Sequence, residues 1–191
     1  ASTFERPTHD PKTPARILVT YATGHGSTTG VAATIAEALR GTGAEVDLAP
    51  VAGAPDPAAY TGVVIGSPIR YDTWLPAAQD WVLAHQSVLA TRPVAYFFTC
   101  IALSIASDKE SGAKYADAVR AICPIVQPVR VGRFAGALDL SNFSVPTRVP
   151  ARLLFRYLGA KPGDYRDIPA IQAWALEAFA TQLSPNDRSH P

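Results

Sequence analysis

Two cysteines in 191 residues, Cys100 and Cys123, are too few for a disulfide framework, and that scarcity suits a reducing compartment. Charge of either sign is also scarce. Charged residues make up 17% of the chain, against about 25% in ordinary domains. Lys and Arg number 17 and Asp and Glu 16, a net +1, so no basic surplus argues for nucleic acid. No apolar run approaches the roughly 20 residues a membrane-spanning helix needs. No signal peptide is expected from residues 1–14, which are polar and proline-rich. The four histidines, His9, His25, His85 and His190, have no ligand spacing with cysteine or carboxylates, so no metal site is expected.

Apolar residues are plentiful, at 48%, and they exclude disorder of the chain as a whole. The length fits one domain. Residues 1–15 and 185–191 have no period and read as tails, which leaves a domain over 16–184. Within it, strands and helices alternate. Arg16–Tyr21 is a nearly continuous apolar run, as in a strand buried on both faces. Further strands are expected at 45–48, 60–66, 93–99 and 125–131. Val31, Ile35 and Leu39 give a first helix its period, and Gly41 and Gly43 stop it. A second helix is expected over 76–89, with Trp81, Val82, His85 and Leu89 on one face. Ser107-Asp-Lys-Glu110 reads as a capping box opening a third, ended by Pro124. Asp167 caps a last helix, with Pro169 in its first turn and Ile171, Trp174, Ala178 and Phe179 as its buried stripe.

This alternation predicts an α/β sandwich around a mainly parallel sheet. Ligands of such sheets sit outside the carboxyl ends of the strands, where strand order reverses. The loops to read are those after Tyr21, Gly66 and Thr99.

The first loop runs Tyr21-Ala-Thr-Gly-His-Gly-Ser-Thr28. Gly24 and Gly26 permit a tight turn. Thr23, Ser27 and Thr28 supply hydroxyls, and the following helix aims its free N–H groups and positive dipole end into the same space. That combination suits a phosphate. The loop lacks the Lys of a P-loop and the third glycine of a dinucleotide fingerprint. His25 sits where it either contacts phosphate or faces solvent.

This loop resembles the phosphate loop of flavodoxins. Thr23, Gly26 and Thr28 match that pattern, Gly24 replaces a usual hydroxyl residue, and Ser27 stands where Asn is frequent. The wider stretch Tyr21–Leu39 and Val63-Val-Ile-Gly-Ser-Pro-Ile-Arg-Tyr71 are similar to the menaquinone-dependent protoporphyrinogen dehydrogenases and their flavodoxin-domain relatives. Phe134-Ala-Gly-Ala-Leu138 and Gly163-Asp-Tyr-Arg-Asp167 extend the likeness. The resemblance implies a flavodoxin-like three-layer sandwich: a five-stranded parallel sheet of order 2-1-3-4-5 with helices on both faces. It also implies FMN as cofactor.

The remaining loops are then the ring-holding ones. Ser67, Pro68, Ile69, Arg70, Tyr71 and Trp74 form the loop after the third strand. Ile69, Tyr71 and Trp74 offer faces for a flat ring; for Trp74 the alternative is packing at the start of the next helix. Arg70 either places positive charge near the pyrimidine edge of the ring or stays solvated. Thr99, Cys100 and Ile101 form the loop after the fourth strand. No aromatic residue occurs between Thr99 and Ser107, which implies a ring open on one face or covered by a partner. No side chain stands out as a general acid or base.

Two functions fit these residues: an FMN oxidoreductase acting on a quinone, a tetrapyrrole or another small molecule, or a one-electron carrier. Carriers of that type are strongly acidic, and a net charge of +1 argues against such steering. The expected location is cytoplasmic, with one qualification. Arg148, Arg152 and Arg156 recur at helical spacing among Leu153, Leu154, Phe155, Tyr157 and Leu158. Such a helix either packs on the core with snorkelling arginines or rests weakly on an anionic membrane surface.

Overall fold

The structure, a computed structural model, describes residues 14–24, 26–100, 103, 109–138 and 163–183. Residues 1–13 of the expected 1–15 tail, the expected tail over 185–191, the capping box at Ser107–Glu110 and the basic segment 148–158 lie outside the described residues or, for Lys109 and Glu110, outside the described side chains.

Five long strands form one parallel sheet. They are β1 (Arg16–Tyr21), β2 (Glu45–Pro50), β3 (Gly62–Arg70), β5 (Val94–Thr99) and β6 (Arg130–Phe134). A two-residue strand, β4 (Thr73–Trp74), folds back antiparallel on the end of β3. The spatial order is β2-β1-β3-β5-β6. Counting only the long strands, that is the expected 2-1-3-4-5, and strand order reverses beside β1. A second, two-stranded antiparallel sheet pairs β7 (Ala137–Leu138) with β8 (Gly163–Asp164).

The strands are apolar on both faces because helices cover both. Ile17, Val19, Tyr21, Val64, Phe97 and Phe134 point to one side. There they meet α1 (Ser27–Arg40) and α5 (Ile168–Ala178), which pack on each other as well. Leu18, Val63, Ile65, Tyr96 and Phe98 point to the other side, toward α2 (Pro76–Ala84), α3 (Gln86–Leu89) and α4 (Lys109–Arg120). Gly66 lets the Phe97 ring lie flat on the sheet; a Cβ there would sit 2.0 Å from the ring. The body reaches one residue further back than the expected tail boundary. Ala15 is buried, and its carbonyl accepts from the Glu45 N–H.

Two elements differ from expectation. The fifth long strand covers 130–134, not 125–131. Pro124 and Pro128 lack the N–H a ladder needs, Cys123–Val126 closes a turn, and Ile125 and Val129 are exposed. The helix over 76–89 is split at His85. Its φ of −109° leaves the helical region while its Nδ1 joins its own N–H on the Trp81 carbonyl. The last helix is as expected. The Asp167 carboxylate accepts from the Ala170 N–H at 3.0 Å, and Ile171, Ala178 and Phe179 are buried; Trp174 is half-buried against Phe97 and Phe134.

Candidate functional site

The carboxyl ends of β1, β3 and β5 bring the three expected loops to one edge of the sheet. In the first, Gly26 adopts φ 88°, a left-handed conformation at which glycine is unstrained. The Thr23 hydroxyl accepts from the Gly26 N–H at 3.0 Å, and the Gly26 carbonyl accepts from Thr29. These bonds close the loop. The start of α1 has no side-chain cap and no acidic residue in its first turn. Its positive end therefore faces the site with no carboxylate of its own to neutralise it.

Thr28 is buried, and its hydroxyl lies 2.9 Å from that of Thr99, which is also buried. One hydrogen bond thus ties the first loop to the end of β5. Each hydroxyl has both a donor and acceptors, so Thr28 retains hydrogen-bonding capacity beyond this pair. Ser27 is half-buried and lies against Gly136, where a Cβ would be 3.3 Å from its Oγ. His25 and Ile101 lie outside the described residues.

The loop after β3 is a hairpin. Ile69 faces Trp74 and Arg70 faces Thr73, leaving Tyr71 and Asp72 as a two-residue turn with φ 51° and 65°. Both values are positive, as a type I′ turn requires. That conformation is strained for tyrosine. Asp72 anchors the tip through a 2.7 Å ion pair with Lys114 on α4, which raises the Lys114 pKa. Ser67 is buried and engaged: its hydroxyl accepts from the Leu75 N–H and donates to the Pro68 carbonyl. Pro68 and Ile69 are half-buried, while Tyr71 is 95% exposed.

Trp74 does not offer a ring face. It is 1% exposed and packs edge-on against Tyr96 at 4.9 Å, so packing at the start of the next helix is what the structure bears out. The Arg70 guanidinium lies beside Gly24 of the first loop, its Nη2 3.6 Å from where a Cβ on Gly24 would sit. Cys100 is half-buried, and its N–H donates to the Phe134 carbonyl.

Several neighbours of the site went unread in the sequence. Arg166 lies against Gly30 in the first turns of α1 and is held by Asp164 through Nε–Oδ1 and Nη2–Oδ2 bonds. Those bonds lower the Asp164 pKa to about 2. Gly136, Asp164 and Arg166 come from segments more than 100 residues away, and no local pattern marks them.

A conserved-domain match decides what this edge belongs to. The Flavodoxin domain family matches residues 18–162, about three-quarters of the chain. The chain belongs to the flavodoxin domain family. Solved flavodoxins share the fold. One from the domain Archaea superposes with TM-score 0.54 at 11% identity, over 88% of this chain and 99% of its own. A short-chain flavodoxin associated with a non-canonical PDU bacterial microcompartment gives 0.56 at 12%, over 89% and 99%. Flavodoxin 2 from Bacillus cereus, in its oxidised form, gives 0.51 at 21%, over 88% and 99%. Among curated proteins none matches the sequence. The cofactor of this flavodoxin domain is FMN. The residues present fit it: an uncapped helix start with hydroxyls suits the phosphate, and an exposed tyrosine on an adjacent hairpin suits a flat ring. Among the described residues no helix is long and apolar enough to cross a membrane.

Proposed function

We propose that this chain is an FMN-dependent oxidoreductase that passes electrons to a quinone, in the manner of the protoporphyrinogen dehydrogenases its sequence resembles. When bound, FMN supplies the hydride and electron chemistry. The chain's residues hold and orient it. The Ser27 and Thr28 N–H groups and hydroxyls take the phosphate, with Thr23 shaping the loop and Thr99 orienting Thr28. Ile69 and Tyr71 would offer apolar and aromatic surface to a bound ring, and Thr99 and Cys100 would border it, with no aromatic residue in 99–107 to cover it. A face left open in that way would be where a substrate approaches.

The observation that carries this reading is charge. Arg70, Lys114 and Arg166 stand near the site. Of the carboxylates there, Asp72 is paired with Lys114, Asp164 with Arg166, and Asp167 caps α5. Among the described residues this edge has no acidic face to steer a one-electron carrier toward basic partners. Neither Cys100 nor Cys123 is in a disulfide, in keeping with a cytoplasmic location.

The test is anaerobic reoxidation. Holoprotein reduced with dithionite is mixed with a water-soluble menaquinone analogue and, separately, with a basic one-electron acceptor protein, while flavin absorbance is followed. The proposal expects fast, saturable reoxidation by the quinone. Reoxidation by the acceptor protein alone would make the chain a one-electron carrier.

A further inference from the structure

We infer that Lys114 is a positioning residue for the flavin ring: through Asp72 it holds the hairpin tip that carries Tyr71. The inference rests on the FMN reading above. The hairpin after β3 is firm at its base. Trp74 is buried, its carbonyl accepts from Gln79 Nε2 at 2.7 Å, and the Ser67 hydroxyl accepts from the Leu75 N–H at 3.0 Å. The tip is built differently. Tyr71 and Asp72 both have positive φ, 51° and 65°, and the Tyr71 ring is 95% exposed, so packing does not fix its direction. Asp72 reaches another element. Its Oδ2 accepts from Lys114 Nζ at 2.7 Å, across 42 residues of chain.

Lys114 stands on α4, the helix that follows the loop opened by Thr99 and Cys100, and β4 is in contact with that helix. The ion pair therefore joins the loop that offers Tyr71 to the helix downstream of the other loop bordering the ring. Aspartate suits such a tip, because it adopts a positive φ more readily than most residues. Lys114 Nζ also lies 5.9 Å from the centroid of the neighbouring Tyr115 ring, a second attraction on the same ammonium. The side chains of Lys114 and Asp72 are 64% and 61% exposed, which sets the scale of the effect. A pair of that kind shifts an equilibrium by no more than about fivefold. Its loss should loosen the tip without unfolding the domain.

The experiment follows FMN release from holoprotein by stopped-flow fluorescence at low and high salt, with amide hydrogen exchange over residues 70–73. The variants are Asp72→Asn, which keeps the turn preference and loses the charge, Lys114→Gln, the two together, and Lys114→Arg. Arg120→Gln, which breaks the Asp117 ion pair further along α4, is the control. Thermal melts confirm that each is folded. At low salt Asp72→Asn and Lys114→Gln should each release FMN about two- to fivefold faster and exchange faster at the tip. The double variant should be no faster than either single one. Lys114→Arg, which can remake the pair, should restore the wild-type rate, and Arg120→Gln should not change it. High salt should bring the wild type toward the variants. Single variants that release FMN at the wild-type rate, or losses that add in the double variant, overturn the inference and leave FMN binding standing. A Lys114→Arg variant as fast as Lys114→Gln does the same. A wild type that takes up no FMN overturns the cofactor reading and this inference with it.

Discussion

Replacing Thr28 by valine removes a hydroxyl without changing side-chain shape, and the structure sets the cost. Its partner, the Thr99 hydroxyl 2.9 Å away, belongs to a residue only 2% exposed, so water cannot replace the lost bond. An unsatisfied buried hydroxyl costs about 1–3 kcal/mol. The new methyl returns up to about 0.8 kcal/mol of that through its own burial. The net loss for Thr28→Val is therefore about 1–2 kcal/mol, and Thr99→Val should cost about the same by the same route. In the double variant both polar groups are gone and two methyls meet, so its stability should lie close to wild type. Urea unfolding of the four apoproteins gives the double-mutant cycle, with an expected coupling equal to the two single losses together, about 2–4 kcal/mol. Single losses that simply add in the double variant would refute the buried hydroxyl pair. FMN affinity measured on the same proteins should fall in Thr28→Val, because the hydroxyl assigned to the phosphate is lost.

Other consequences are equally direct. Gly66→Ala should destabilise by about 3 kcal/mol in urea unfolding, since its Cβ would lie 2.0 Å from the Phe97 ring; Phe97→Leu in the same chain should recover part of the loss. Tyr71→Gly should raise apoprotein stability by about 1 kcal/mol by relieving a positive φ, yet weaken flavin binding by removing the exposed ring. The Asp164 pKa, lowered to about 2 from 3.8, makes a stabilising contribution that is complete above pH 3.8 and is lost as pH falls through about 2. With both partners partly exposed, the effect is below about 1 kcal/mol. Acid unfolding of Asp164→Asn should lack that component and otherwise follow wild type.

Much of the fold was legible because it rests on local patterns. Continuous apolar runs gave strands covered on both faces, and Asp167 with Pro169 marked the start of α5. The fifth strand was misplaced because Ile125 and Val129 look like strand residues. The prolines among them, which cannot donate to a ladder, decide against it. At the site, the glycine and hydroxyl loop was readable from composition alone. Side-chain direction was not. Trp74 and Tyr71 are three residues apart and equally aromatic, but the type I′ turn sends one into the core and the other into solvent. The reach of Arg70 across to Gly24 depends on that hairpin's geometry, which no spacing in the sequence encodes. The neighbourhood of Gly30 and Arg166 likewise arises only from the packing of distant segments.

The central claim is that residues 23–28 hold the phosphate of one FMN per chain. Calorimetric titration of apoprotein with FMN tests it most directly. The account predicts saturable binding at one site per chain, with the affinity markedly reduced in Thr28→Val. Apoprotein that takes up no FMN, or binds it equally well in that variant, would contradict it.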